Sequence, residues 1–235
     1  MFAIATAELR MLVRNRLVAF CAILLPLGFG AFLLFSPAGA GTASYVATLS
    51  VMIMVAMGVY ITATTTIAAR RQTLFLKRLR SGSISDAMII FGLLSPIVLI
   101  NIVQVAVVLT VLSITESVPE NILLLALAVI LAEVMFAGFA LATAGITTSP
   151  EHAQVTTLPL FFITIGVAVW VLFTGTDDLG WVKRALPGGG IGELIGVSYG
   201  AEFTGPIIAL IAPSLAWAYL AIFAARSMFK WEPRA

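Results

Sequence analysis

Between Leu17 and Ala69 the chain carries no Asp, Glu, Lys, Arg or His. An uninterrupted stretch of that length has no place in a water-soluble domain. A bilayer core about 30 Å thick is crossed by roughly 20 apolar residues in a helix. The turn-rich segment SPAGAGTAS, residues 36–44, divides the stretch into two spans, 17–35 and 45–68. Further apolar runs follow at 87–114, 121–147, 153–175 and 203–225. With 61% hydrophobic and 10% charged residues and a mean hydropathy of +1.11, the chain reads as an all-α integral membrane protein of six transmembrane helices, forming one domain over 1–235.

Lys and Arg, rather than net charge, orient such a chain. With the N-terminus inside, Arg10, Arg14, Arg16, Arg70, Arg71, Lys77, Arg78, Arg80, Arg226, Lys230 and Arg234 fall on the cytoplasmic side, and only Lys183 and Arg184 fall outside. Both termini are therefore expected in the cytoplasm, in a multi-pass membrane protein. Arg14, Arg16 and the small-residue segment Ala38-Gly39-Ala40 resemble a signal peptide. The apolar run exceeds the usual h-region, so the first span is expected to remain.

Residues 1–16 read as an amphipathic interfacial helix, with Phe2, Ala5, Leu9, Leu12 and Val13 on one face and Arg10 and Arg14 on another. The external segment 176–202 suggests two short re-entrant helices. Leu179, Val182 and Leu186 recur at helical spacing, Pro187-Gly188-Gly189-Gly190 interrupts, and Ile191, Leu194, Ile195 and Ser198 resume it; Trp181 and Tyr199 suit headgroup depth. The run GGGIGELI lacks the Gly-Lys-Ser/Thr ending of a phosphate-binding loop. Prolines 26, 96, 159, 206 and 213 predict kinks or span ends.

Catalytic chemistry finds little support. The one histidine, His152, stands beside Glu151 in a turn where both suit capping of the next helix better than metal ligation. Cys21 has no partner for a disulfide. The chain is not expected to be an enzyme, to hold a metal or cofactor, or to bind nucleic acid. Glu133 is the exception within the spans, because an ionised carboxylate at mid-membrane costs about 2.5 kcal/mol or more. It must face a polar cavity, meet a partner, or stay protonated. Asn101, Gln104, Thr62 and Thr65, with Thr64 and Thr66, supply further polar atoms, either for interhelical hydrogen bonds or for a substrate path.

The cytoplasmic segment 69–86, ARRQTLFLKRLRSGSISD, is dense in charge. On a helical wheel Phe75, Leu76 and Leu79 share a face, Arg71, Lys77, Arg78 and Arg80 occupy the rest, and Leu74 falls among the charges. Ser81-Gly82-Ser83 ends the helix, and Ser85-Asp86 can cap the next span. Attraction to anionic lipid would account for the charge; a short projecting helix also suits docking.

The segment Thr73-Leu74-Phe75-Leu76-Lys77-Arg78-Leu79-Arg80-Ser81-Gly82 is similar to the T-L-x-x-L-R-x-T/S-P cytoplasmic segment of type-2 exporter permeases of the ABC transporter family. That family includes bacterial drug, polyketide and polysaccharide exporters, so the resemblance implies a cell membrane of bacterial type. The resemblance extends over nearly the whole chain, from the N-terminal helix and six spans to the paired helices before the last. Arg70-Arg71-Gln72 stand where family members often have an acidic residue and a glycine, and Ser83-Ile84 stand where a proline follows. The resemblance implies a coupling helix, with Arg71, Phe75, Lys77, Arg78, Leu79 and Arg80 meeting a separate ABC ATPase subunit that holds ATP and Mg. It also implies a second permease subunit, identical or paralogous, with the second and fifth spans lining the path and the first and fifth helping form the dimer. The expected cargo is a hydrophobic or amphiphilic compound, drug-like molecules first, with lipid or polysaccharide as the alternative. A proton-coupled secondary transporter using Glu133 is a further alternative from a different class.

Overall fold

A computed structural model describes residues 2–14, 19–35, 43–82, 84–203, 205–229 and 231. Arg16, the 36–42 part of the first turn, Ser83, Lys230 and Arg234 lie outside the described residues, as do the side chains of Phe2, Val13 and Cys21. The described chain is helical: α1 (Phe2–Arg14), α2 (a π-helical Phe20–Leu24 continuing as Leu25–Phe35), α3 (Ala43–Gln72), α4 (Phe75–Arg80), α5 (Asp86–Thr115), α6 (Ile122–Ile146), α7 (Pro150–Thr174), α8 (Gly180–Ala185), α9 (Gly189–Ser198) and α10 (Ile208–Met228). Five of these, α3, α5, α6, α7 and α10, are long and apolar enough to cross a membrane; α2 is a shorter apolar helix.

The helix starts follow from local chemistry. Ser85, Asn121 and Ser149 are N-caps whose side chains accept from the backbone N–H of Met88, Leu124 and His152, and Pro150 stands where no intrahelical N–H is needed. His152 thus enters the cap through its backbone, while its ring bonds Thr148.

Helix α3 is the axis of the bundle. Its most apolar window is 89% buried, against 28% in α7 and α10. Its two halves are joined by a π-helical turn, Ala56–Ile61, which withdraws carbonyls from the i→i−4 ladder. Helices α6 and α10 form the closest seam. A Cβ on Gly138 would lie 2.8 Å from Ala221, and seven residues on, Gly145 lies against the backbone of Met228. The equal step along both makes the two helices parallel, and small residues let their backbones approach where hydrophobicity supplies no driving force.

Most basic residues collect at one end of the bundle, with α1, α4 and the ends of α3, α6 and α10. Here α1 forms as an amphipathic helix, with its buried face set differently from the expected one at Glu8 and Leu9. Ile4, Glu8 and Leu12 are buried, whereas Leu9 is 40% exposed. Glu8 turns inward because Arg70 of α3 receives it, with Arg70 Nε and Nη2 donating to its two carboxylate oxygens at 2.8 and 2.9 Å.

At the opposite end, α9 is buried almost along its length and packs against α3, α6, α7 and α10. Its glycines are packing devices. Gly190 fits against Ser214 and the Leu210 carbonyl, and Gly188 has φ +90°. In α8 the expected apolar stripe does not form, because Leu179 adopts φ 54° and is exposed. The side chain buried there is Lys183, which donates to Thr174 Oγ1 at 2.8 Å and the Gly175 carbonyl at 2.6 Å. A cation at the C-terminus of α7 satisfies its C-cap carbonyl and complements its dipole. Trp181 is 75% exposed, and Tyr199 is half-buried.

Candidate functional site

Two features stand out: the short helix α4 with its surroundings, and the polar side chains inside the bundle. Helix α3 ends because Leu74 takes φ 57°, a left-handed conformation that a leucine adopts only at some cost. The chain is thereby redirected into the six residues of α4. This also resolves the place of Leu74 on the helical wheel: it is the N-cap, outside the helix, and 46% exposed.

Within α4, Leu76 is fully buried and anchors the helix to its own chain. Phe75 and Leu79 are half-buried, Leu79 against the core and Phe75 beneath the Arg70 guanidinium, 5.7 Å from its ring centroid. Part of their apolar area is thus taken up by the chain itself, Leu79 by the core and Phe75 by Arg70. Lys77, Arg78 and Arg80 form the outward surface. Arg78 donates to the Thr73 carbonyl at 3.0 Å, while Arg80 pairs with Asp86 at 3.2 Å and lies 5.2 Å from the centroid of Trp231. Arg71 belongs to α3, not α4. It is buried and donates to the Thr147 carbonyl, the C-cap of α6. Two consecutive arginines thus hold the foot of α3, Arg70 to α1 and Arg71 to α6.

The polar residues of the spans have separate partners. Asn101 Nδ2 on α5 donates to the Met54 carbonyl at 2.8 Å, just before the π turn of α3. Gln104 Nε2, one helical turn on, reaches the Ala22 and Ile23 carbonyls in the π-helical part of α2, at 3.3 and 2.9 Å. Thr62 reaches back five residues to the Met57 carbonyl at 3.1 Å, and Thr65 bonds the Ile61 carbonyl at 2.9 Å. Side-chain donors therefore serve carbonyls in and beside the irregular turns. Tyr60 and Thr143 join α3 to α6 through their hydroxyls, 3.0 Å apart. Along α3, Met57, Ile61, Thr65 and Ala69 are half-buried and form one i, i+4 stripe. Glu133 is buried in the middle of α6, and neither carboxylate oxygen has a hydrogen-bond partner among the described residues. No hydrogen bond among the described residues joins Glu133 to Asn101 or Gln104.

At the far end, Arg184 Nε and Nη2 each donate to Glu193 at 2.7 Å, and Thr176 also donates to that carboxylate at 2.9 Å. The hydrogen bonds it donates to Glu193 hold the Arg184 guanidinium above its already high ordinary pKa, against a smaller opposing effect of burial. Sequence reasoning missed Glu8, Glu193 and Lys183 as structural charges. For Glu8 the available signal was one acidic residue on an otherwise acid-free N-terminal helix.

Together these features define a helical protein with five helices able to cross a membrane and a basic, short-helix protrusion at one end. No family model matches the chain, and no curated protein matches it.

Proposed function

We propose that the chain is the membrane subunit of an ATP-driven exporter of hydrophobic or amphiphilic compounds, drug-like molecules first, with a lipid or polysaccharide cargo as the alternative within that class. In this reading α2 is the sixth span, both termini are cytoplasmic, and two permease subunits enclose the path. A separate ABC ATPase subunit, carrying ATP and Mg, docks on α4 of each.

The observation that carries the reading is α4 itself. It is a six-residue basic helix, anchored by buried Leu76 and held between two long apolar helices, with Lys77, Arg78 and Arg80 turned outward. A surface of that kind offers charge-assisted contacts to an acidic groove, while the burial of Leu76 makes α4 move with the bundle. The half-exposed stripe on α3 also supports a path along the second span.

The test is co-purification of the chain with ABC ATPase subunits expressed alongside it. The double variant Arg78→Glu, Arg80→Glu is expected to lose the ATPase while the chain remains folded in the membrane. A complex and ATP-driven transport that persist unchanged in that variant would overturn the docking claim.

A further inference from the structure

Glu133 presents a buried acid with nothing to neutralise it. It is 3% exposed and sits near the midpoint of α6, and both its oxygens lack a hydrogen-bond partner among the described residues. An ionised carboxylate in that position requires a counter-charge, a set of donors, or a bound cation.

The helices packed against α6 supply no counter-charge at that depth. Their charged residues stand near helix ends or outside the spans: Arg70 and Arg71 in the last turn of α3, Asp86 at the start of α5, Glu151 and His152 in the first turn of α7, and Arg226 in the last turn of α10. Glu193 of α9 is taken up by Arg184. The titratable hydroxyl at the α3–α6 contact, Tyr60, is engaged with Thr143. Ca²⁺ takes about six to eight oxygens and Mg²⁺ about six, so a divalent ion at Glu133 would need further acidic ligands beside it. Among the described residues there is no group of three or more His, Cys, Asp or Glu that could hold one.

We infer that Glu133 is a proton-binding site: in the closed bundle its carboxyl carries a proton, and it gives that proton up only when water reaches the contact between α3 and α6. The contact between those helices takes in the π turn Ala56–Ile61, an irregular element whose Met57 carbonyl, and the neighbouring Met54 carbonyl, are already served by side chains. π turns of this kind recur at functional sites. The inference does not depend on the exporter reading, because it concerns the chain alone.

The test is infrared spectroscopy of the purified full chain in phospholipid nanodiscs at neutral pH. A carboxylic-acid carbonyl band is expected in the native chain, to be lost in Glu133→Gln, and to exchange with D₂O more slowly than bulk amides. Circular dichroism of Glu133→Gln should match the native chain, since the amide is isosteric with the neutral acid. Should that variant not fold, site-specific ¹³C labelling of glutamate in the native chain reads the same band by its isotope shift. Absence of the band in the native chain, its survival in folded Glu133→Gln, or immediate exchange would each overturn the inference.

Discussion

The Arg70 guanidinium and the Glu8 carboxylate form a two-pronged pair, at 2.8 and 2.9 Å, that fastens the N-terminal helix to the foot of the central helix of the bundle. Glu8 is 4% exposed, so removing Arg70 leaves a buried charge without its partner. Arg70→Met is expected to destabilise the chain by about 3 kcal/mol. The double variant Glu8→Met, Arg70→Met should recover most of that loss. Equal, additive losses in a double-mutant cycle from reversible unfolding in mixed micelles would show that the pair is not coupled.

Gly58 and Asn101 make a second pairing that a single methyl group should break. A Cβ at position 58 would overlap the Asn101 amide, pushing its donor from the Met54 carbonyl. Gly58→Ala is expected to cost about 1–3 kcal/mol, despite the better helix propensity of alanine. Gly28 and Gly166 have nothing within 4 Å of the corresponding position, so Gly28→Ala and Gly166→Ala should be neutral or slightly stabilising. Thermal unfolding midpoints of the three variants make the comparison.

The α6–α10 seam should be equally intolerant. Gly138→Val would drive a branched side chain into Ala221 and the Ile222 backbone, separating the two helices at a cost of about 1–3 kcal/mol. Disulfide cross-linking between cysteines placed along the seam should fall in Gly138→Val; unchanged cross-linking would mean that the helices do not meet there.

Leu76 tests whether α4 is an attached lever or a loose loop. Leu76→Ala removes a fully buried anchor and is expected to cost about 2–4 kcal/mol locally. Protease cleavage within 73–82 should accelerate, while the spans keep their helical content. No change in cleavage would mean that α4 is held by its charges alone.

The long apolar helices were legible because burial in lipid demands continuous apolar sequence. The run expected at 45–68 emerges as Ala43–Gln72, lengthened at its foot by Arg70 and Arg71, whose charges find partners instead of water. The outward cations of α4 were legible from helical spacing. How the surfaces of Phe75 and Leu79 divide between the chain itself and a partner was not, because an amphipathic wheel identifies an apolar face without saying what meets it. Lys183 reads in sequence as an external cation, and only the approach of the Gly175 carbonyl makes it a cap. The π turns leave no mark in hydrophobic periodicity, and Asn101 and Gln104 acquire meaning only once those turns place carbonyls within their reach.

The account rests most directly on transport driven by nucleotide through this chain. Purified chain and an ABC ATPase that co-purifies with it, co-reconstituted in liposomes, should move a fluorescent amphiphilic dye when ATP and Mg are supplied on the side of α4, and the movement should stop in Arg78→Glu, Arg80→Glu. Movement driven by a pH gradient without nucleotide, and lost in Glu133→Gln, would contradict it.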